Sequence, residues 1–165
     1  MYFPDLSSYS YSLRVPLPGV LNVGWLDQSM PFRKGVVPDS LSDRLRDWFR
    51  VGRVNQMRGI YQCNLCEVPK WPLPPLDGQK WILPPLEDNP SIIVEGRKWF
   101  LGSWEIWIPS LNEKIFACPA LVIHYVAVHG YTPPEEFIAS VMTDKAIQDW
   151  NAEAEFERRT RVGLR

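Results

Sequence analysis

The chain has 165 residues, of which 45% are hydrophobic and 22% are charged, and its formal net charge is −1. This length predicts one domain over residues 1–165, with room for a hydrophobic core. The balanced charge, without a clustered basic face, argues against a nucleic-acid partner, and no apolar run is long enough to span a membrane. Because the start lacks a basic region followed by an apolar run, no secretory signal is expected and we predict a cytoplasmic protein.

The first third of the chain predicts one short strand and one amphipathic helix. The strand is VLNVGWL at residues 20–26. The helix follows a turn-rich stretch, because four large apolar residues recur there at the spacing of one helix face. Capping residues at 39–42 can begin this helix, and Gly52 can end it. The apolar residues are Leu41, Leu45, Trp48 and Phe49.

Residues 67–90 form a segment rich in proline and tryptophan. KWPLPPLD at 70–77 recurs ten positions later as KWILPPLE at 80–87. Proline removes a backbone donor and fixes φ, so neither copy fits a helix interior or a central strand, and we predict an inserted loop of polyproline type. Trp71 and Trp81 are candidate partner-binding residues. The alternative is that these two side chains pack against the protein's own sheet.

The region after this loop predicts a β-meander. Its three strands are SIIV, KWFLGSWEIWI and KIFA, which are separated by turn signals. Before the loop, GIYQCNLC at 59–66 is interpreted as a further strand that enters a tight turn. In the long middle strand of the meander, side chains alternate between two faces. One face carries Trp104, Ile106 and Ile108, and the other carries Ser103, Glu105 and Trp107.

Helices are predicted to complete the chain. Cys118-Pro119 is expected to open a helix through ALVIHYVAVH, which is apolar on nearly all sides and therefore buried. Thr132 and Glu135 form a capping-box pattern that begins the next helix. Residues 145–165 predict a charged C-terminal helix or tail. The fold class expected is α+β, with a small antiparallel β-meander packed against two or three C-terminal helices and a zinc-pinned Cys-x-x-Cys turn.

Two sulfurs and two imidazoles are the strongest functional signal. Cys63 and Cys66 form a Cys-x-x-Cys pair, and the only two histidines of the chain, His124 and His129, follow it later in the sequence. Thiolate and imidazole ligands in tetrahedral sets are typical of zinc, so we predict one Zn²⁺ site from these four residues. On a straight helix the two histidines would point about 140° apart. We expect them to converge in a tightened final turn, which Gly130 can end.

Other uses of these residues remain open at this level. The Cys-x-x-Cys pair could be a redox dithiol, although no helix N-terminus is evident that would lower a thiol pKa. Cys118 could replace His129 as a ligand, but we expect it to be a core residue at the edge of a helix. A catalytic zinc keeps one position open for water. Four protein ligands would close the shell, so a structural zinc is the favoured interpretation.

Several stretches, taken in order, resemble a family of small, uncharacterised bacterial proteins. They are YFPDLSSY, LNVGWLDQSMPF, RGIYQCNLC, LGSWEIWIP and IFACPALVIHYVAVHGYTPPEEFI, and they cover most of residues 2–141. In that family the Cys-x-x-Cys and His-Tyr-x-x-x-His patterns occur together, which implies a metal-site role for the four residues named above. Cys118 stands where the family pattern has alanine. The proline- and tryptophan-rich segment and the charged tail are longer than the resemblance leads us to expect.

The sequence carries no catalytic constellation, so we expect a zinc-stabilised protein-binding module. The partner expected is another protein, with a cognate bacterial toxin as the candidate, and the chain would then act as an immunity protein. The alternative is a zinc-dependent hydrolase with an open three-ligand site. A nucleic-acid module of the zinc-finger kind is disfavoured, because ALVIHYVAVH carries no Arg or Lys.

Overall fold

The structure is a computed structural model, and it describes residues 1–11, 13, 15–67, 89–143, 147 and 149–163. The strands are β1 (Val20–Asn22), β2 (Arg53–Val54), β3 (Ser91–Val94), β4 (Arg97–Phe100), β5 (Glu105–Pro109) and β6 (Ile115–Pro119). The helices are α1 (Leu41–Gly52), α2 (Val122–His129), α3 (Glu135–Val141) and α4 (Ala152–Gly163). Residues 68–88 of the predicted loop, including Trp71 and Trp81, lie outside the described residues.

Two sheets form the β part of the fold. β1, β6, β5 and β2 lie side by side in that order. β1 runs parallel to β6, and the other neighbours are antiparallel. β3 and β4 form a separate antiparallel hairpin. The predicted α+β class is confirmed, although the larger sheet is mixed because the early strand β1 joins it.

The long middle strand of the predicted meander is two strands. A 3₁₀ turn, Leu101–Ser103, separates β4 from β5. The backbone groups of this turn bond to an earlier segment of the chain instead of to a neighbouring strand. Tyr61 N–H donates to Gly102 O at 2.9 Å, and Met57 N–H donates to Ser103 O at 2.9 Å. The chain leaves one sheet and enters the other at this turn. The predicted single meander is therefore wrong, because it joined two hairpins that belong to different sheets.

The same bonds explain why residues 59–62 do not form the predicted strand. Their segment is irregular, because its backbone is held by the 3₁₀ turn and not by a ladder. The predicted helix start at Cys118-Pro119 is also wrong. Both residues belong to β6, where Cys118 pairs with Ile106 of β5. Proline at the end of a strand removes no needed donor, so pairing with β5 decides the conformation, and α2 begins only at Val122.

The first helix is confirmed with its end at Gly52, but the predicted side-chain cap at its start does not form. The four apolar side chains of α1 are fully buried and share one core with Ile106 and Ile108 of β5. Trp48 also donates its indole N–H to Val141 O at 3.0 Å, which fixes α1 against α3. The expected Thr132 capping box does not form, because α3 begins after Pro134 without a side-chain cap.

The C-terminal helix covers the opposite face of the larger sheet. Trp107 alternates with the isoleucines of β5 as predicted, and its ring centroid lies 4.9 Å from that of Phe156 in α4. Trp150 donates its indole N–H to Trp107 O at 2.8 Å, and Ala152 is buried beside them. Within the charged tail, α4 is therefore a helix that docks on its own chain. No helix in the described part of the chain combines the length and apolar character needed to cross a bilayer.

Candidate metal centre

The four predicted ligands lie together in the structure. One ligand atom from each side chain lies within 4.8 Å of all the others, an arrangement that could hold a metal ion. One of the cysteines is almost completely buried, and the other three residues are half-buried. The side chains are Cys63, Cys66, His124 and His129.

The shortest separations in this cluster involve the same ring nitrogen of each histidine. Cys66 Sγ lies 3.1 Å from His124 Nε2 and 3.3 Å from His129 Nε2. Cys63 Sγ lies 3.3 Å from His129 Nε2, and the two Nε2 atoms are 3.1 Å apart. The imidazole rings are steeply inclined, at 78°. Both histidines therefore present Nε2 to one point that the two sulfurs also face.

The Cys-x-x-Cys turn is held by hydrogen bonds of its own. Asn64 Nδ2 donates to Asp27 Oδ2 at 3.0 Å, which ties the turn to the loop after β1. Within the turn, the backbone N–H groups of Leu65 and Cys66 act to lower the pKa of the Cys63 thiol, although burial outweighs them. Such N–H donors favour the charged thiolate form of a cysteine, which is the form that binds metals.

The end of α2 brings the two histidines together. His129 is the last residue of the helix, and Gly130 follows it in the left-handed conformation with φ 65°. The N–H groups of Gly130 and Tyr131 both bond to Tyr125 O, a closure that tightens the end of a helix. We predicted from Gly130 that His124 and His129 converge, and they do so where these two bonds tighten the last turn of α2.

Burial keeps the imidazoles of the centre neutral. Burial, and secondly the neighbouring His129, lowers the pKa of His124 to about 4. Burial, and secondly the charge of Lys34, lowers the pKa of His129. Burial raises the pKa of Cys63 to about 11, against the opposing effect of the turn N–H groups. The histidines are thus in the form that binds a metal, whereas Cys63 must lose a proton when a metal binds.

Cys118 takes no part in this cluster. It is fully buried in β6, and its Sγ donates to Ile106 O at 3.3 Å. The expectation that Cys118 is a core residue is confirmed, but it lies in a strand and not at a helix edge. The role predicted for Trp71 and Trp81 stays a prediction, because both lie outside the described residues.

Glu105 is a buried polar group that the sequence pattern does not reveal. Its side chain is 2% exposed, and its carboxylate accepts hydrogen bonds from Tyr9, Asn55 and Trp107. Burial raises the pKa of Glu105 to about 7, although these three bonds oppose the effect. The one sequence feature that could have indicated its burial is its position, since Glu105 shares a strand face with the large apolar residue Trp107. That this face is buried follows only from the N-terminal segment and α4, which cover it.

Comparison with known proteins identifies a family but no close relative. No curated protein and no solved structure matches the chain. A family profile matches residues 1–142, which include all four side chains of the centre. The match stops before α4, the helix that covers the second face of the sheet. The chain therefore belongs to the family described as Domain of unknown function (DUF7919).

Proposed function

We propose that the protein is a protein-binding module whose fold is stabilised by one structural zinc ion, bound by Cys63, Cys66, His124 and His129. The observation that supports this most directly is the convergence of two sulfurs and two imidazole nitrogens within 4.8 Å. They come from a turn and a helix that are distant in sequence. Polar side chains brought together in a partly buried place need strong partners, and a metal ion supplies one to all four.

The separations between the ligand atoms suit zinc. Zinc lies about 2.3 Å from a cysteine sulfur and about 2.0–2.1 Å from an imidazole nitrogen, so the ligand atoms of a tetrahedral site are about 3.3–3.8 Å apart. The sulfur–nitrogen and nitrogen–nitrogen separations of 3.1 to 3.3 Å are only a few tenths of an ångström shorter than this. A set of two cysteines and two histidines is typical of structural zinc sites.

The structural role follows from the number of ligands. Four protein ligands fill a tetrahedral shell, whereas a catalytic zinc keeps one position for water or substrate. The alternative function, a hydrolase with an open three-ligand site, requires one of the four side chains to withdraw. X-ray absorption of the zinc-loaded protein separates the two. A shell of two sulfurs and two nitrogens supports the structural role, and an oxygen in place of one of them supports the hydrolase.

The zinc would fix a segment that lacks regular structure. Between β2 and the Cys-x-x-Cys turn the chain forms no strand ladder, and single bonds such as Tyr61 N–H to Gly102 O hold it. Bonds from one ion to Cys63 and to His129 would join this segment to the end of α2. Zinc binding would thus contribute directly to the stability of the fold, as in other small zinc-stabilised proteins.

Matched cysteine variants test the zinc site. Cys66→Ala removes a proposed ligand, and Cys118→Ala removes a buried thiol that takes no part in the cluster. We expect about one zinc per chain in the wild type and in Cys118→Ala, and a loss of affinity of tenfold or more in Cys66→Ala, measured by competition with a chromogenic chelator. Equal zinc affinity in the two variants would reject the site.

The protein-binding part of the proposal concerns the segment between the metal centre and β3. Cys66 would be held by zinc on one side, and Ser91 is held by the β3–β4 hairpin on the other. The sequence between them contains the two Lys-Trp-x-Leu-Pro-Pro-Leu repeats. Tryptophan often anchors protein interfaces, and proline reduces the entropy lost on binding. The folded chain would therefore present this segment from two fixed ends.

The proposed partner is another protein, and a cognate toxin is the candidate to test first. The product of the neighbouring gene is co-purified with the wild type and with a Trp71→Ala/Trp81→Ala double variant. We expect the wild type to retain the partner and the double variant to lose it, while its zinc content and melting temperature stay unchanged. A neighbouring product that is neither toxic nor bound would remove the immunity role and leave the zinc site unaffected.

A further inference from the structure

A cavity of about 70 Å³ lies beside the metal centre and is partly open to solvent. Its wall contains aromatic rings, two methionines and one acidic residue, Glu105. The aromatic residues are Tyr11, Trp25, Tyr61, Trp104 and Tyr125. We propose that this cavity binds a small organic cation, an alkylammonium head group, next to Glu105. The inference does not depend on the proposed zinc site.

The carboxylate of Glu105 is held in place by neutral donors. Tyr9 OH lies 2.9 Å from Oε2, Asn55 Nδ2 lies 2.5 Å from Oε1, and Trp107 Nε1 lies 3.3 Å from Oε2. Asn55 Nδ2 and Trp107 Nε1 can only donate, so both oxygens act as acceptors. This network holds the carboxyl group in place, and the group carries its negative charge above a pKa that burial raises to about 7.

No described lysine or arginine forms an ion pair with Glu105. The amino group of Met1, which also lies in the wall, is bound instead by Asp27 Oδ2 and by Tyr61 OH, both at 3.1 Å. A carboxylate that is 2% exposed is normally paired with a cation, because an unpaired buried charge is costly. A bound cation would supply a partner for this charge.

The aromatic wall favours the same class of ligand. The faces of tyrosine and tryptophan rings carry partial negative charge and attract cations, and methylated ammonium groups are bound in this way by aromatic cages. An anion would be repelled by Glu105, and a neutral apolar group would leave the carboxylate unpaired. The cavity is open on one side, so a head group can enter it while the rest of a larger ligand stays outside.

The test compares a cation with a neutral molecule of the same shape. Zinc-loaded protein is titrated with choline and with 3,3-dimethyl-1-butanol, in which carbon replaces the quaternary nitrogen, at constant ionic strength. Trp25 and Trp104 lie in the wall, so tryptophan fluorescence reports binding. We expect saturable binding of choline, about tenfold or more tighter than binding of the alcohol. Equal binding of the two, or binding of neither, would overturn the proposal.

Variants then locate the binding. Glu105→Gln should weaken choline binding about tenfold and leave the alcohol unaffected, whereas Glu153→Gln, on the exposed side of α4, should change neither. Tyr11→Leu removes one ring and should weaken choline binding several-fold, which keeps the test decisive if Glu105→Gln folds poorly. Full choline affinity in Tyr11→Leu would refute the site. A short peptide with trimethyllysine distinguishes the sources, since tighter binding than choline would indicate a protein side chain and weaker binding a free amine.

Discussion

Replacing Gly102 with alanine tests the contact that positions the Cys-x-x-Cys turn. A Cβ atom at this position would lie 1.9 Å from Tyr61 O, 2.8 Å from the Tyr61 carbonyl carbon and 2.9 Å from its nitrogen. Cβ atoms essentially never approach other heavy atoms closer than 3.0 Å, so the two backbone segments must separate by about 1 Å. No flexible side chain is available to absorb this shift, because every atom in the way belongs to the backbone.

The expected cost follows from these contacts. Separation breaks the 2.9 Å bond from Tyr61 N–H to Gly102 O, which is worth about 1 kcal/mol. Forced repacking of a close contact adds about 1–3 kcal/mol. The stabilisation of about 0.4–1 kcal/mol that alanine brings by restricting the unfolded chain only partly offsets these terms. Gly102→Ala should therefore lower the free energy of unfolding by about 1–3.5 kcal/mol.

The variant should also weaken zinc binding, because Cys63 follows Tyr61 by two residues. Metal–ligand distances tolerate deviations of about 0.2 Å, well below the required shift. Gly59→Ala is the matched control, since its Cβ would meet nothing within 4 Å. Urea unfolding and zinc competition should find Gly59→Ala within about 0.5 kcal/mol of the wild type. If Gly102→Ala behaves like Gly59→Ala in both assays, the close approach of the two segments is refuted.

Three further outcomes are expected. Removal of zinc with a chelator should lower the melting temperature by about 10 °C or more, and zinc but not magnesium should restore it; an unchanged melt would contradict a structural metal. Phe156→Ala should lower the free energy of unfolding by about 2 kcal/mol, measured with urea, because its ring packs on Trp107. The control Glu153→Ala, on the exposed side of α4, should stay within about 0.5 kcal/mol of the wild type. Equal effects of the two variants would contradict the docking of α4. Burial raises the pKa of Glu105 from 4.5 to about 7, so the folded state holds its proton more tightly than the unfolded state. The stability that results is complete below about pH 4.5 and is lost as pH rises through about 7. The wild type should therefore lose about 2.5 kcal/mol relative to Glu105→Gln between about pH 5 and pH 8, in excess zinc. A pH-independent difference would show that Glu105 titrates normally.

Local patterns in the sequence predicted several parts of the fold. The spacing of Leu41, Leu45, Trp48 and Phe49 predicted α1, because a helix stripe needs only neighbouring residues to be recognised. Alternation along β5 separated Ile106 from Trp107 correctly for the same reason. The α+β class followed from such segments.

Errors occurred where a distant segment decides the local conformation. Cys118 and Pro119 carry signals that suit a helix start, but pairing with β5 keeps them in a strand. The segment before Cys63 has the composition of a strand, yet its backbone bonds go to the 3₁₀ turn after β4. Neither partner lies close in sequence, so no local pattern contains the information.

The candidate site divides in the same way. Residue chemistry was sufficient to select two sulfurs and two imidazoles, because few other side chains bind a soft or borderline cation, and Gly130 indicated where a helix could bring both histidines together. The meeting of the turn with that helix, and the burial of Glu105 beside an aromatic cavity, depend on contacts between segments far apart in the chain. Which charges and donor atoms share one small volume is therefore a property of the tertiary structure, since only folding brings those segments within bonding distance.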